Sequence, residues 1–216
     1  MAVNVASDLA ELAASRGWSA RPAFYECDVV WTHGQVHDLA ARLATTLVCE
    51  GVRPGETVLI ALPDSIGFVV SFLAVARVGA IAVTVNPDLP TADHHNLAGD
   101  CDPSLVISAG EIADRFGGAE IDDLIRAAWD AEPAAARKVD PDTTLYVQYT
   151  SGTTGPAKGV PHRHADFPLY ERVAAREALR IAPTDVGLSV SRMYFAYGMG
   201  NSLIYPLYSG SATVLT

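Results

Sequence analysis

Cysteine and lysine are both scarce in this chain of 216 residues. The three cysteines, Cys27, Cys49 and Cys101, are widely spaced and form no CxxC pair, which argues against a disulfide framework or a metal site and favours buried free thiols. No apolar run reaches the ~18 residues of a transmembrane helix, and the N-terminus has neither the basic start nor the apolar core of a signal peptide. We therefore expect a cytoplasmic protein.

Positive charge is also in short supply, and its distribution is uneven. The chain has 15 Lys and Arg against 25 Asp and Glu, a net charge of −10. Residues 1–143 hold nine basic and twenty-one acidic residues, whereas residues 144–216 hold six and four. An acidic chain without a basic stripe repels polynucleotides, so we expect no nucleic-acid partner.

Short apolar runs alternate with helical patterns from residue 36 onward, which is typical of a parallel α/β sheet. The predicted strands are 58–62, 80–85, 104–108, 144–149, 186–190 and 212–216, and the predicted helices are 36–50, 65–78, 91–99, 121–130, 165–179 and 200–208. The pattern predicts a doubly wound α/β fold with mostly parallel sheets flanked by helices. Residues 1–143 would form a first, acidic subdomain and residues 144–216 the start of a second.

Residues 149–160 read YTSGTTGPAKGV and carry most of the functional information. Glycines in such a loop let the backbone approach a ligand closely, hydroxyls can donate to phosphate oxygens, and a lysine adds a cation. The hydroxyl donors are Tyr149, Thr150, Ser151, Thr153 and Thr154, the glycines are Gly152, Gly155 and Gly159, and the cation is Lys158. The composition therefore predicts a loop that holds ATP phosphates.

Two other interpretations of this loop are open. A Walker A loop needs lysine directly after glycine and a Ser or Thr directly after the lysine, but Lys158 follows Ala157 and precedes Gly159. A flexible linker fits the composition, yet a linker does not need the strand-like run before it and the helical pattern after it.

The loop resembles the signature loop of the AMP-forming adenylating enzymes, which include acyl-CoA and aryl-CoA synthetases, peptide synthetase adenylation domains and firefly luciferase. That loop usually reads S/T-S-G-S/T-T-G-x-P-K-G, and here Pro156 and Ala157 stand in the reverse order. Residues 29–65 and 72–90 resemble earlier parts of the same family, in the same order, with Glu56 in place of the usual aspartate. The resemblance covers nearly the whole chain.

A second specific stretch, residues 190–215, resembles the acyl-pocket segment of the benzoate-CoA ligase branch, where the pattern is FFAYGLGN. We call these residues the acyl segment. The resemblance places Tyr197 beside the carboxylate that is activated, with Phe195, Ala196 and Gly198 next to it and small residues leaving room for a flat ring. We interpret Tyr194 as a core aromatic.

The histidines that follow the loop, His162 and His164, are too close in sequence to be two ligands on one helical face. We interpret them as residues at the start of a helix, without a metal. The family has histidine at the position of His164, which implies a structural hydrogen bond there.

The resemblance implies activation of a carboxylic acid to an acyl-adenylate and then to a CoA thioester, with ATP, Mg²⁺ and CoA as cofactors, and we expect the acid to be aromatic and benzoate-like. Thr150, Ser151, Gly152, Thr153, Thr154 and Gly155 would hold the β- and γ-phosphates, with Lys158 as the catalytic cation. It also implies an adenine-binding stretch with an acidic magnesium ligand and a C-terminal domain, and neither lies within residues 1–216. Because the chain ends on an apolar run, we expect it to be the front of a longer protein and inactive alone.

Three alternatives stay open at this point. The chain could be a truncated, non-catalytic relative that binds a nucleotide or a partner through an exposed sheet edge. It could be an unrelated phosphotransferase, although the magnesium-binding hydroxyl beside Lys158 is missing. The acid could also be a medium- or long-chain fatty acid.

Overall fold

The structure is a computed structural model that describes residues 2–150 and 157–216, apart from the side chains of residues 114–116. In this part of the chain the strands are β1 (Pro22–Glu26), β2 (Val29–Thr32), β3 (Thr57–Ala61), β4 (Ile81–Thr84), β5 (Leu105–Ser108), β6 (Ala119–Glu120), β7 (Thr144–Thr150), β8 (Lys158–Arg163), β9 (Val186–Leu188) and β10 (Ala212–Leu215). The helices are α1 (Val5–Ser15), α2 (His33–Cys49), α3 (Ile66–Val78), α4 (Thr91–Cys101), α5 (Glu111–Phe116), α6 (Ile121–Trp129), α7 (Asp166–Tyr170), α8 (Ala196–Met199) and α9 (Tyr205–Ser209). None of the described helices is long and apolar enough to cross a membrane.

The strands form two sheets. The larger one has the order β6-β5-β3-β4-β7-β8, in which β8 runs antiparallel to β7 and the other neighbours are parallel. The smaller one has the order β2-β1-β10-β9, in which β2 is antiparallel to β1 and the other neighbours are parallel. The prediction of an α/β fold with mostly parallel sheets is confirmed.

The predicted boundary at residue 143 does not separate these sheets. Strands β7 and β8 follow that residue but pair within the larger sheet. Strand β1, from the start of the chain, pairs in parallel with β10, with Phe24 opposite Thr213. No predicted element precedes residue 36, so the pairing of β1 with a strand from the other end of the chain was not predicted.

Both faces of the larger sheet are covered, as a doubly wound fold requires. Alternate residues of β3 face opposite sides, because side chains in a strand alternate. Val58 and Ile60 pack in the main core with α3, while Leu59 and Ala61 pack with Leu97 of α4. Helix α3 is apolar on nearly every side, and all of its residues except Arg77 are buried, as expected for a helix enclosed by protein.

The helix boundaries follow recognisable caps. Helix α2 begins three residues earlier than predicted, because Thr32 and Gln35 form a capping box that the apolar spacing did not reveal. Helix α3 begins after Ser65, which accepts a hydrogen bond from the Phe68 N–H, and ends at Gly79 with φ of 79°. The predicted end of α3 at this glycine is confirmed, since the left-handed conformation favours glycine there.

The two predicted helices after the loop change their hydrogen-bonding pattern part of the way along. Helix α7 continues as a π-helix over Glu171–Leu179, and α8 continues as a π-helix over Gly200–Ile204 before α9 begins. Pro168 lies in α7 and Pro206 near the start of α9. Proline has no N–H for the helical ladder, and π-helical turns are one way in which a chain adapts to the missing bond.

Two predictions about individual side chains are wrong. Cys27 and Cys49 are exposed, because Cys27 lies in the turn between β1 and β2 and Cys49 is the last residue of α2; Cys101 is partly buried. His162 lies in β8, not at a helix start, because the chain after the loop returns as a strand antiparallel to β7.

His164 directly follows β8 and has the structural role that the resemblance implied. Its ring is buried, and its Nδ1 accepts a hydrogen bond from the Val5 N–H at 3.3 Å. Burial lowers the pKa of His164 to about 4, so the ring is neutral at pH 7 and can accept this bond.

Asn4 connects the N-terminal helix to two other parts of the core. The side chain is fully buried, and its Oδ1 accepts bonds from the N–H groups of Ala6 and Ser7 at the start of α1. Its Nδ2 donates to the carbonyl oxygens of Ala76 at 2.7 Å and Arg137 at 2.8 Å. One side chain therefore caps α1 and fixes it against the end of α3 and the segment before β7.

We expect Asn4→Ala to lower the free energy of unfolding by about 3 kcal/mol, since it removes a helix cap and two further hydrogen bonds, one of them buried, to the carbonyl oxygens of Ala76 and Arg137. Thr32→Ala, which removes only the capping side chain of α2, should cost about 1 kcal/mol. Urea unfolding of both variants measures the difference. Equal losses would mean that the bonds to Ala76 and Arg137 contribute nothing.

Candidate active site

A cavity of about 860 Å³ lies at the carboxyl ends of β4 and β7. Its walls combine apolar and polar side chains from the β4–α4 connection, from α4, from the end of β7 and from the acyl segment. They are Thr84, Val85, Asn86, Leu89, Asp93, Asn96, Leu97, Asp100, Tyr149, Thr150, Ala157, Tyr194 and Phe195. The volume suits a small-molecule ligand, and the carboxyl ends of parallel strands are where open α/β sheets bind ligands.

The two ends of the predicted phosphate loop, residues 150–158, lie beside this cavity. Thr150 ends β7, Lys158 begins β8, and the two residues are paired across the strands. The Thr150 hydroxyl donates to the Lys158 carbonyl oxygen at 3.4 Å, and Thr150 and Ala157 border the cavity. Lys158 is exposed and is not among the described residues that line it. Ser151, Gly152, Thr153, Thr154 and Gly155 lie outside the described residues.

Tyr149 has a different partner from the one that the loop composition suggested. Its hydroxyl donates to Asp100 Oδ2 at 2.5 Å, so its proton is already engaged. Burial, together with this bond to a carboxylate, raises the pKa of Tyr149 well above its usual value. Tyr149 therefore ties the end of β7 to α4 and is not a free donor for phosphate.

The thiol of Cys101 lies next to this pair and is not a reactive group. Burial raises the pKa of Cys101 to about 11, and the negative charges of Asp100 and Asp102 act in the same direction. A thiol with such a pKa remains protonated near pH 7, and the thiolate is the nucleophilic form. Cys101 is therefore a packing residue, which lies against the smaller core cluster that includes Leu59 and Leu97.

The acyl segment brings two aromatic side chains to the cavity. Tyr194 is buried, packs in the main core and borders the cavity with its neighbour Phe195. The two rings are 4.8 Å apart and inclined by 61°. The interpretation of Tyr194 as a core aromatic is confirmed.

The other predicted acid-binding residues lie at the start of α8, outside the described cavity wall. Ala196 and Tyr197 are exposed, with Tyr197 at 71% of its full exposure, and Gly198 is buried. The described residues therefore unite Thr150 and Phe195 at one cavity, whereas Ala196, Tyr197 and Gly198 are not part of its lining.

Gly198 has a packing reason to be small, independent of the acid-binding role that the resemblance implies. A Cβ atom at this position would lie 2.0 Å from the Arg192 carbonyl oxygen and 2.4 Å from that of Ser191. Real Cβ atoms do not approach backbone that closely. The glycine is needed because the chain before α8 folds directly against it.

The wall from the β4–α4 connection and α4, which includes Asn86, Asp93, Asn96 and Asp100, was not predicted from the sequence. These residues carry no motif. The signal that could have indicated Asn86 is its position just after the predicted strand 80–85, at the carboxyl end where ligands bind in parallel sheets.

We expect Gly198→Ala to lower the free energy of unfolding by about 1–3 kcal/mol, because the backbone at 191–192 must move away from the new methyl group. Gly187→Ala in β9 is a matched control, since its Cβ would meet its nearest atoms at 3.7 Å. That variant should be neutral or slightly stabilising. Thermal unfolding compares the two, and an undiminished stability of Gly198→Ala would contradict the packing role.

Several proteins of known name are similar to this chain over most of its length. The AMP-binding enzyme family matches residues 12–216. The chain is 44% identical over 215 residues to the p-hydroxybenzoic acid–AMP ligase FadD22 of Mycobacterium marinum. That alignment covers 98% of this chain and 30% of the relative. It is 31% identical over 198 residues to the benzoate–CoA ligase of Thauera aromatica, with 84% of this chain and 37% of the relative covered.

A solved structure is similar over the full length of the chain. The anthranilate CoA ligase AuaEII in complex with anthranoyl-AMP matches with a TM-score of 0.90 and 26% identity, over 100% of this chain and 44% of that one. The chain thus spans between about a third and a half of the length of these relatives. The family match extends over nearly the whole chain, and it shows that the chain belongs to the AMP-binding enzymes, among the relatives of the aryl-CoA ligases.

Proposed function

We propose that the complete protein to which these residues belong activates an aromatic carboxylic acid with ATP. A carboxylate oxygen of the acid attacks the α-phosphorus, the bond to pyrophosphate breaks, and an acyl-adenylate forms. The sulfur of CoA then attacks the acyl carbon, and AMP leaves. The supporting observation is that one cavity is bordered by Thr150 of the phosphate loop and by Tyr194 and Phe195 of the acyl segment.

Charge placement explains how the loop would contribute. Negative charge collects on the transferring phosphoryl group and on the departing pyrophosphate, so catalysis depends on positioned donors and cations. Lys158 is an exposed cation one residue beyond the cavity-lining Ala157. The proposed roles of Ser151, Gly152, Thr153, Thr154 and Gly155 are to bind phosphate oxygens through hydroxyl and backbone N–H groups.

The composition of the cavity wall favours an aromatic acid. Tyr194, Phe195, Leu89 and Leu97 provide apolar surface for a ring. The amides of Asn86 and Asn96 can form hydrogen bonds with a substituent on that ring. We propose that Tyr197, with Ala196 and Gly198 beside it, contacts the carboxylate when the acid is bound, because an exposed side chain at the start of α8 can reach a ligand without breaking core contacts.

Magnesium would enter this site with the nucleotide. In residues 2–150 and 157–216, no group of three or more His, Cys, Asp or Glu side chains could hold a metal ion. Mg²⁺ is commonly held by substrate phosphates with one or two carboxylates, and when bound it neutralises part of the phosphate charge.

The first test is ATP–pyrophosphate exchange by the complete protein with benzoate, 4-hydroxybenzoate, 2-aminobenzoate and octanoate. We expect exchange with at least one aromatic acid to have a kcat/KM at least about tenfold above that with octanoate, a difference of about 1.4 kcal/mol in transition-state binding. Equal exchange with octanoate would instead indicate a fatty-acid ligase.

Thioester formation is measured separately, because one relative is named as an AMP ligase and another as a CoA ligase. Addition of CoA should release AMP and yield the aryl-CoA by mass spectrometry. Adenylation without aryl-CoA would leave the first half of the proposal standing and assign the acyl group to another thiol.

We expect Lys158→Ala to slow pyrophosphate exchange by about 10²–10³-fold, the loss typical of one electrostatic contact to a transition state. Lys138→Ala is a matched control, because Lys138 is the other lysine of the chain and pairs with Asp8 at 3.1 Å, away from the cavity wall. It removes the same charge and should retain exchange. Similar losses in both variants would show that net charge, not the position of Lys158, governs the rate.

A further inference from the structure

Asp64 makes a long-range contact that the proposed chemistry does not use. It lies between β3 and α3, at the carboxyl end of β3 in the larger sheet. Its Oδ1 accepts a hydrogen bond from the backbone N–H of Met193 at 2.8 Å, across 129 residues of sequence. The bond joins the loop after β3 to the start of the acyl segment.

Met193 directly precedes Tyr194 and Phe195, the two aromatic residues that the acyl segment contributes to the cavity wall. Its side chain is completely buried, whereas Phe195 is half exposed and borders the cavity with Tyr194. Because consecutive Cα atoms are a fixed distance apart, a displacement of the backbone at Met193 must move Tyr194 as well. The position of this part of the wall therefore depends on what holds Met193.

The chain around Met193 lies outside the regular elements. Strand β9 ends at Leu188 and α8 begins at Ala196, so residues 189–195 take no part in a strand ladder or helix. Local bonds shape this stretch: the Ser189 hydroxyl donates to the Ser191 carbonyl oxygen at 2.8 Å, and the Phe195 N–H donates to the Arg192 carbonyl oxygen at 3.0 Å. These bonds fix the shape of the stretch but not its place relative to the larger sheet.

The loop that carries Asp64 is itself firmly held. Leu62 before it is buried, and the Ile66 N–H after it donates to Glu26 Oε1 at 2.9 Å. Ser65 caps α3, the most deeply buried helix. Through its bond to the Met193 N–H, Asp64 can therefore hold residues 189–195, which lie outside the helices and strands, in a fixed place relative to α3 and the larger sheet.

Burial and two favourable partners act in opposite directions on the carboxyl group of Asp64. Burial raises the pKa of Asp64, while the Met193 N–H and the charge of Arg192 favour its carboxylate form. A carboxylate that is partly removed from water keeps a strong preference for a donor such as an N–H group.

We infer that Asp64 is a positioning residue for acid recognition: its carboxylate holds the Met193 N–H and thereby sets where Tyr194 and Phe195 border the cavity. This inference rests on the proposed function, because it assigns the 193–195 stretch to the acid and not to ATP. Asp64 does not touch the acid in this arrangement; it acts through the backbone that it holds.

The experiment uses the complete protein and three variants. Asp64→Ala removes the acceptor, and Asp64→Asn keeps an oxygen that can accept the same bond. Asp185→Ala is the matched control, because Asp185 Oδ2 accepts the Ala182 N–H at 2.8 Å before β9, away from the cavity wall. We expect Asp64→Ala to raise KM for the aromatic acid about tenfold, while its KM for ATP stays within about twofold of the parent value. In Asp64→Asn and Asp185→Ala, both KM values should stay within about threefold of those of the parent.

A second readout does not depend on activity. Hydrogen exchange of the backbone amides of residues 193–199 should be faster, by about tenfold or more, in Asp64→Ala than in the parent, and unchanged in Asp185→Ala. An unchanged rate of amide hydrogen exchange at residues 193–199 in Asp64→Ala would overturn the inference. Equal rises in KM for the acid and for ATP would also overturn it.

The two proposals fail in different ways. If the parent protein catalyses no ATP–pyrophosphate exchange in the presence of any aromatic acid, the proposed function fails. Amide hydrogen exchange then still decides whether Asp64 positions residues 193–195. If the parent is active and Asp64→Ala retains both KM values, only the role of Asp64 in acid recognition fails.

Discussion

The complete burial of helix α3 is the constraint on which the rest of the structure depends. Phe72 of this helix stacks on Phe167 of α7 at 5.8 Å and meets the edge of Tyr146 in β7 at 5.7 Å. The same helix packs against α1 and α2 and covers one face of the larger sheet. A polar or shortened α3 would expose several elements at once, because Arg77 is the one residue of this helix that is not buried.

The burial of α3 also accounts for the position of the cavity. Since α3 and α4 cover opposite faces of the larger sheet, the space that remains for a ligand is at the carboxyl edge, where β4 and β7 end. Residues distant in sequence meet there: Asn86 after β4, Thr150 after β7 and Phe195 from the acyl segment. The sheet topology, more than any single side chain, determines which parts of the chain can contribute to one site.

Much of this arrangement could be predicted from sequence, for physical reasons that differ between elements. Strands 58–62 and 80–85 were predictable because buried parallel strands are continuous apolar runs, and the end of α3 was predictable because Gly79 adopts a left-handed conformation. The phosphate-binding role of residues 150–158 stays a prediction, and of this loop Thr150 and Ala157 are the described residues that border the cavity. The pairing of β1 with β10 and the bond between Tyr149 and Asp100 were not predictable, since each depends on geometry that local composition does not encode. The capping box of α2 does have a local signature, Thr32 followed three residues later by Gln35, but the apolar spacing used to predict the helix does not include it.

The parallel pairing of β1 with β10 has a consequence for the order of folding. Phe24 and Thr213 are neighbours in the smaller sheet, yet nearly the whole chain lies between them. Loop closure of this length is entropically unfavourable and slow, whereas β3, β4 and β5 form contacts through short crossovers. During synthesis on the ribosome, the central strands of the larger sheet can therefore assemble before β10, the partner of β1 in the smaller sheet, has been synthesised. The smaller sheet is the last part of this chain to close.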